Sequence, residues 1–110
     1  MTMKERRRFP RHEASLEVRY ATPGNVGIEG YTVTKDVSRV GTRLPITRII
    51  RQGDILNLDI DPNDHKGNIS ALGRVVWTRP IERPAPLELD AGVEFIKINS
   101  SDADRLEPSY

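Results

Sequence analysis

Apolar residues recur at every second position in five stretches of this chain, and that alternation admits little except half-buried β-strands. Leu16, Val18 and Tyr20 alternate with Glu17 and Arg19; Tyr31 and Val33 alternate with Thr32 and Thr34; Leu56, Leu58 and Ile60 alternate with Asn57 and Asp59. Farther along, Ile69, Ala71, Val75 and Trp77 fall on one face, with Gly73 placed for a bulge or a close approach. Leu89, Ala91, Val93 and Phe95 complete the set, and Trp77 and Phe95 are expected in the core because both keep the apolar phase. Turn-forming runs separate these stretches: TPGNVG, RQGD, DPNDHKGN and the proline-rich RPIERPAP. Five or six short strands punctuated in this way predict an antiparallel barrel or sandwich. One short helix is expected in NSSDADRLEPSY, with Ser100 or Ser101 as N-cap, acidic residues in the first turn, Pro108 as the stop and Leu106 closing one end of the sheet.

A chain of 110 residues has room for one domain with a modest core. It has no cysteine, which excludes disulfides, thiolate zinc sites and a cysteine nucleophile. No apolar run approaches the roughly 20 residues that span a bilayer, so a cytoplasmic protein without a membrane partner is expected. No Ser-His-Asp order, phosphate-cradling glycine loop or HExxH pattern is present, and neither an enzyme nor a cofactor is expected. His65, with Asp61 and Asp64, reads as a polar hairpin tip rather than a metal site, and His12 as a surface residue.

The net charge of +1 is unevenly spread. The first twenty residues hold six Lys/Arg against three Asp/Glu, which leaves the other ninety at −2. A duplex-binding domain would carry a basic face; here the positive charge is confined to ERRRFPRHE, so specific nucleic-acid binding is not expected. Pro10 lacks an N–H and pushes Phe9 toward extended backbone, so Arg7 and Arg11 sit on an irregular arm rather than a helix. Arginines on such an arm suit a phosphorylated purine, because the planar guanidinium forks onto phosphate or the O6/N7 edge of guanine and stacks on flat faces. A solvated basic tail and a non-specific polyanion grip are the plainer readings.

A second element, DVSRVG, follows a predicted strand. Asp36 could accept from the N1–H and N2–H of guanine, Ser38 could bond a base or phosphate, and Gly41 permits a backbone geometry or approach that a side chain would block. By itself it reads as an ordinary turn.

Together the two elements resemble the PilZ domain family, bacterial receptors for cyclic di-GMP, which is marked by RxxxR on an N-terminal arm and [D/N]xSxxG about 25 residues later. RRRFPR supplies Arg7 and Arg11 with Arg6 before them, and DVSRVG supplies Asp36, Ser38 and Gly41; GDILNLDI, GRVVW and GVEF echo the family's later strands. The resemblance implies an all-β fold, a six-stranded antiparallel β-barrel with a short C-terminal helix. Residues 1–12 would form a flexible basic N-terminal arm and residues 13–110 a single PilZ-like domain. It also implies that Arg7 and Arg11 contact guanine and phosphate, that Asp36 and Ser38 read guanine edges, and that Gly41 holds the loop. An arginine at Arg6 accompanies binding of two intercalated cyclic di-GMP molecules in similar domains. Ligand would order the arm and relay a signal to an unidentified protein partner. The alternative is a ligand-independent PilZ-like adaptor. Arg39 occupies a variable position of the motif and reads as an exposed loop residue.

Overall fold

Thr34 shows how the sequence becomes a curled sheet. In the computed structural model, which describes residues 11–24, 27–81 and 88–107, its side chain is buried at a corner between two strand pairs. The Thr34 hydroxyl donates to the carbonyl of Ala14 and accepts from the N–H of Leu16, while the Thr34 N–H donates to the Leu16 carbonyl. On one side of this corner β1 (His12–Glu13) pairs with β4 (Asp36–Ser38); on the other, β2 (Glu17–Ala21) pairs with β3 (Glu29–Val33). Three residues, Ala14 to Leu16, oppose two, Thr34 and Lys35, so the ladder breaks and bends.

The remaining strands are β5 (Gly41–Thr47), β6 (Ile55–Ile60), β7 (Ile69–Pro80) and β8 (Glu88–Ile98). All pair antiparallel in one sheet of order β1-β4-β5-β8-β7-β6-β2-β3. Both sheet ends come from the same bent hairpin, which curls the sheet into a half-barrel around its apolar face. The expected six strands are therefore corrected to eight among the described residues. The corner at Thr34 splits each arm of the hairpin, and alternation in sequence does not register such a break.

Within the curl, Val18, Tyr20, Leu44, Ile46, Leu56, Leu58, Ile60, Ile69, Val75 and Val93 form the buried core. Three expectations fail locally. Tyr31 and Val33 face outward, 77% and 45% exposed. The inner side of β3 is taken by Gly30, where a Cβ would lie 2.3 Å from the Tyr20 ring, so Tyr20 fills the space of two side chains. Trp77 is only half-buried, because a register shift between Val75 and Trp77 reverses the phase of β7 and lays the indole over Gly92. The stretch after Asp36 is strand rather than loop: Thr42, Leu44 and Ile46 point inward, while Arg43 and Pro45 hid the alternation. Pro45 shares the parity of Arg43, whose carbonyl faces Lys35, so its missing N–H falls past the end of β4 at no cost to the ladder.

The helix α1 (Ser100–Asp104) is capped by Asn99, not by a serine: the Asn99 side chain accepts from the Ser101 N–H at 2.9 Å. Leu106 is buried in the core behind it. Arg105 forks onto Asp64 with two bonds of 2.9 Å and also reaches the Gly67 carbonyl, so Asp64 closes the β6–β7 loop onto the C-terminal segment. Hydrogen bonding from Arg105 holds the Asp64 carboxyl well below the usual carboxylate range. The unfolded chain binds a proton there more readily, so this contribution is present at neutral pH and is lost as pH falls below about 4. Asp64→Asn is accordingly expected to melt lower than the unaltered chain near neutrality, with the gap narrowing in thermal melts recorded below that pH.

Candidate functional site

Residues of the DVSRVG segment occupy the β4–β5 hairpin, with Arg39 and Val40 at its turn. Arg11 enters the neighbouring β1, whose Glu13 stands opposite Asp36, and this register brings two distant motifs together. Arg11 Nη1 lies 3.7 Å from Asp36 Oδ1, an ion pair longer than a hydrogen bond. The other oxygen, Oδ2, accepts from Arg43 Nε at 3.1 Å. Asp36 Oδ1 is buried and has no hydrogen-bond partner among the described residues. A carboxylate oxygen in that state retains its full capacity to accept.

Ser38 is buried, and its Oγ accepts from the Val40 N–H at 3.2 Å, bracing the turn. Gly41 is packed against β8, where a Cβ would stand 2.4 Å from the Val93 carbonyl oxygen. The close approach at this glycine is thus between two strands. Arg6 and Arg7 lie outside the described residues. Arg39 is no free loop residue: its Nη1 bonds Asp104 at 2.5 Å and Glu107 at 2.9 Å, tying the motif's turn to the C-terminal segment.

A second carboxylate stands beside the first. Asp90 Oδ1 lies 3.4 Å from Lys35 Nζ, and Oδ2 lies 3.5 Å from both Arg43 Nη1 and Arg79 Nη2. Arg43 spans both acids. Arg79 also stacks over Trp77, 5.0 Å from the ring centroid. Within this cluster the four cations Arg11, Lys35, Arg43 and Arg79 outnumber the carboxylates Asp36 and Asp90 by two. Sequence reading missed Lys35, Arg43, Arg79 and Asp90 as a group. The only signal, the cross-strand pair Arg79↔Asp90, appears once the register of β7 and β8 is known.

Two open grooves of about 550 and 610 Å³ lie elsewhere, the first along β2, β6, β7 and β8 and the second along β2, β3 and β6. The charged face is the one whose chemistry is prepared for an anion. Among the described residues, the buried carboxylate oxygens without a hydrogen bond, Asp36 Oδ1 and Asp90 Oδ1, are both on it. Such an arrangement can bind an anion that also carries N–H donors, with guanidinium groups for the charge and a carboxylate for the donors.

Comparison with known proteins is informative at this point. The model of the PilZ domain family matches residues 5–108. No curated protein matches the chain. Among solved structures, the chain is similar to the Bacillus subtilis inhibitor of motility MotI/DgrA, at 20% identity and a TM-score of 0.73, covering 94% of this chain and 48% of that one. It is similar to K. pneumonia MrkH in complex with c-di-GMP, at 18% identity and a TM-score of 0.69, covering 94% and 50%. It is also similar to the PilZ domain of Escherichia coli YcgR with c-di-GMP, at 13% identity and a TM-score of 0.65, covering 93% and 86%. The chain therefore spans about half the length of MotI and MrkH.

Proposed function

The chain belongs to the PilZ domain family, and from that premise we propose that it is a cytoplasmic receptor for cyclic di-GMP that acts by binding rather than by catalysis. The observation that carries this reading is Asp36: a half-buried carboxylate on the β4 ladder, with one oxygen bonded by Arg43 and the other without a hydrogen bond beside Arg11. The N1–H and N2–H of guanine fit such an acceptor, and Arg11 is placed to take the phosphate or the O6/N7 edge. Two solved relatives carry c-di-GMP in their structures, which supports the same ligand here.

In this account Arg7 joins Arg11 from the arm, Ser38 and Gly41 hold the turn beneath the ligand, and Arg6 supports a second ligand molecule. Two phosphates of the ligand would neutralise the arm's like charges and draw it onto the charged face. The ordered arm presents a new surface to a protein partner. Arg39 gives a second route outward, because the hairpin turn under the ligand is bonded to Asp104 and Glu107 of the C-terminal segment.

Thermal melting in the presence of nucleotide tests the proposal. A ligand at about 100 times its Kd stabilises the folded state by about 2.7 kcal/mol, which for a domain of this size raises Tm on the order of 10 °C. Cyclic di-GMP is expected to produce that rise and cyclic di-AMP a much smaller one. No rise with saturating cyclic di-GMP would overturn the receptor reading in favour of a ligand-independent adaptor.

A further inference from the structure

We propose, resting on the receptor reading above, that Asp90 is a specificity-determining residue of the nucleotide face: it restrains the phosphate-binding cations and, through Arg43, sets the orientation of the guanine-reading Asp36. Asp90 occupies an outward-facing position of β8 yet is only 5% exposed, because Lys35, Arg43 and Arg79 converge over it. It is opposite Pro45 on one side and Arg79 on the other. Its burial owes nothing to the apolar core, which lies on the other face of the sheet.

Its contacts are of an unusual kind. All three cations stand at 3.4 to 3.5 Å, beyond the 2.7–2.9 Å of a strong charge-assisted hydrogen bond. Asp90 Oδ1 accepts no hydrogen bond among the described residues. A buried ion pair held for stability alone would be tighter, and an apolar side chain of similar volume would serve as well. The acid acts instead as a fixed negative charge that lowers the attraction of the face for any anion. Without it the excess of two positive charges becomes three.

The second effect runs through Arg43. Its Nε bonds Asp36 Oδ2 and its Nη1 faces Asp90 Oδ2, so one planar guanidinium is held between two acids. That fixes which oxygen of Asp36 is used and leaves Oδ1 without a hydrogen bond among the described residues. With the charge restrained and Oδ1 lacking a hydrogen bond, a cyclic dinucleotide binds tightly only if it displaces Arg11 and its base supplies donors to Asp36. An adenine ring offers no matching N1–H, so discrimination falls on Asp36 rather than on phosphate charge.

The test compares Asp90→Asn, which keeps shape and loses charge, with the unaltered chain and with Asp90→Glu. Kd for cyclic di-GMP and cyclic di-AMP is measured at several salt concentrations. Asp90→Asn is expected to bind cyclic di-AMP more tightly, to lose about tenfold in the preference for guanine, and to show a steeper salt dependence. Asp90→Glu is expected to keep both properties closer to those of the unaltered chain, and adding Arg79→Gln to Asp90→Asn is expected to restore the original salt dependence. Asp90→Ser takes the place of the asparagine variant if the latter does not fold. An unchanged preference and salt dependence in a folded variant would overturn the inference while leaving the receptor reading intact. No binding of cyclic di-GMP by the unaltered chain would overturn both.

Discussion

Replacing Arg11 with alanine is expected to weaken cyclic di-GMP binding by roughly 10- to 100-fold, the loss of one charge-assisted hydrogen bond at about 1.5–3 kcal/mol, while Tm changes little. The two halves of that result have separate causes. Arg11 is partly exposed and its only described ion partner is 3.7 Å away, so little folding energy depends on it. Its position beside the unbonded oxygen of Asp36 nonetheless makes it the described cation best placed for a guanine or its phosphate. Arg11→Lys is expected to recover only part of the affinity, because an ammonium cannot fork onto two acceptors or stack on a base. Calorimetric titration of both variants beside circular-dichroism melts reads the two halves. A Tm loss as large as the affinity loss would mean that Arg11 serves the fold and not the ligand. Arg7→Ala is expected to behave like Arg11→Ala if the arm closes as proposed.

Gly41→Ala is expected to act in the opposite way, through the fold first. The added Cβ would stand 2.4 Å from the carbonyl oxygen of Val93, a backbone atom in the adjoining strand that no rotamer change can move. Relief requires β5 and β8 to part where Gly41 pairs Glu94 and Thr42 pairs Val93. The cost is about 3 kcal/mol, at the upper end of overpacking effects, and at several degrees per kcal/mol it lowers Tm on the order of 15 °C. Gly53→Ala is an informative contrast: that glycine has φ +95 and nothing within 4 Å of a built Cβ, so its penalty comes from backbone strain alone. If Gly41→Ala keeps the unaltered Tm but loses ligand, the glycine faces the ligand rather than β8. Thermal unfolding with and without cyclic di-GMP separates these outcomes.

How far the sequence reveals this molecule depends on whether a feature is local. Strands β2, β6, β7 and β8 are legible because each keeps one apolar phase over several residues, and Gly73 marks a real register shift. The corner at Thr34 is not legible, since the hydroxyl that makes it bonds residues 18 and 20 positions away. The orientation of β3 is hidden for a similar reason: Tyr20 takes the space that Tyr31 and Val33 would have filled, and alternation within one strand cannot report what faces it. Strand β5 is disguised by Arg43 and Pro45, the outward residues of a face that carries chemistry.

The candidate site divides along the same line. Arg11 and Asp36 were picked out by their motifs, and the structure sets them side by side through the pairing of β1 with β4. Arg6 and Arg7, chosen on the same basis, lie outside the described residues. Lys35, Arg43, Arg79 and Asp90 belong to no motif; three strands and a register shift must be in place before they meet. Arg39 was read as an exposed loop residue because its acidic partners are more than sixty positions away.

In the proposed function, this face selects a guanine-bearing cyclic dinucleotide through Asp36. Calorimetric titration of the intact chain with cyclic di-GMP and with cyclic di-AMP, repeated on Asp36→Asn, tests it most directly. Saturable binding of cyclic di-GMP at a ratio of about two ligands per chain is expected, with at least tenfold weaker binding of cyclic di-AMP and loss of most of that preference in the variant. Equal affinity for the two nucleotides, or a preference that survives Asp36→Asn, would contradict it.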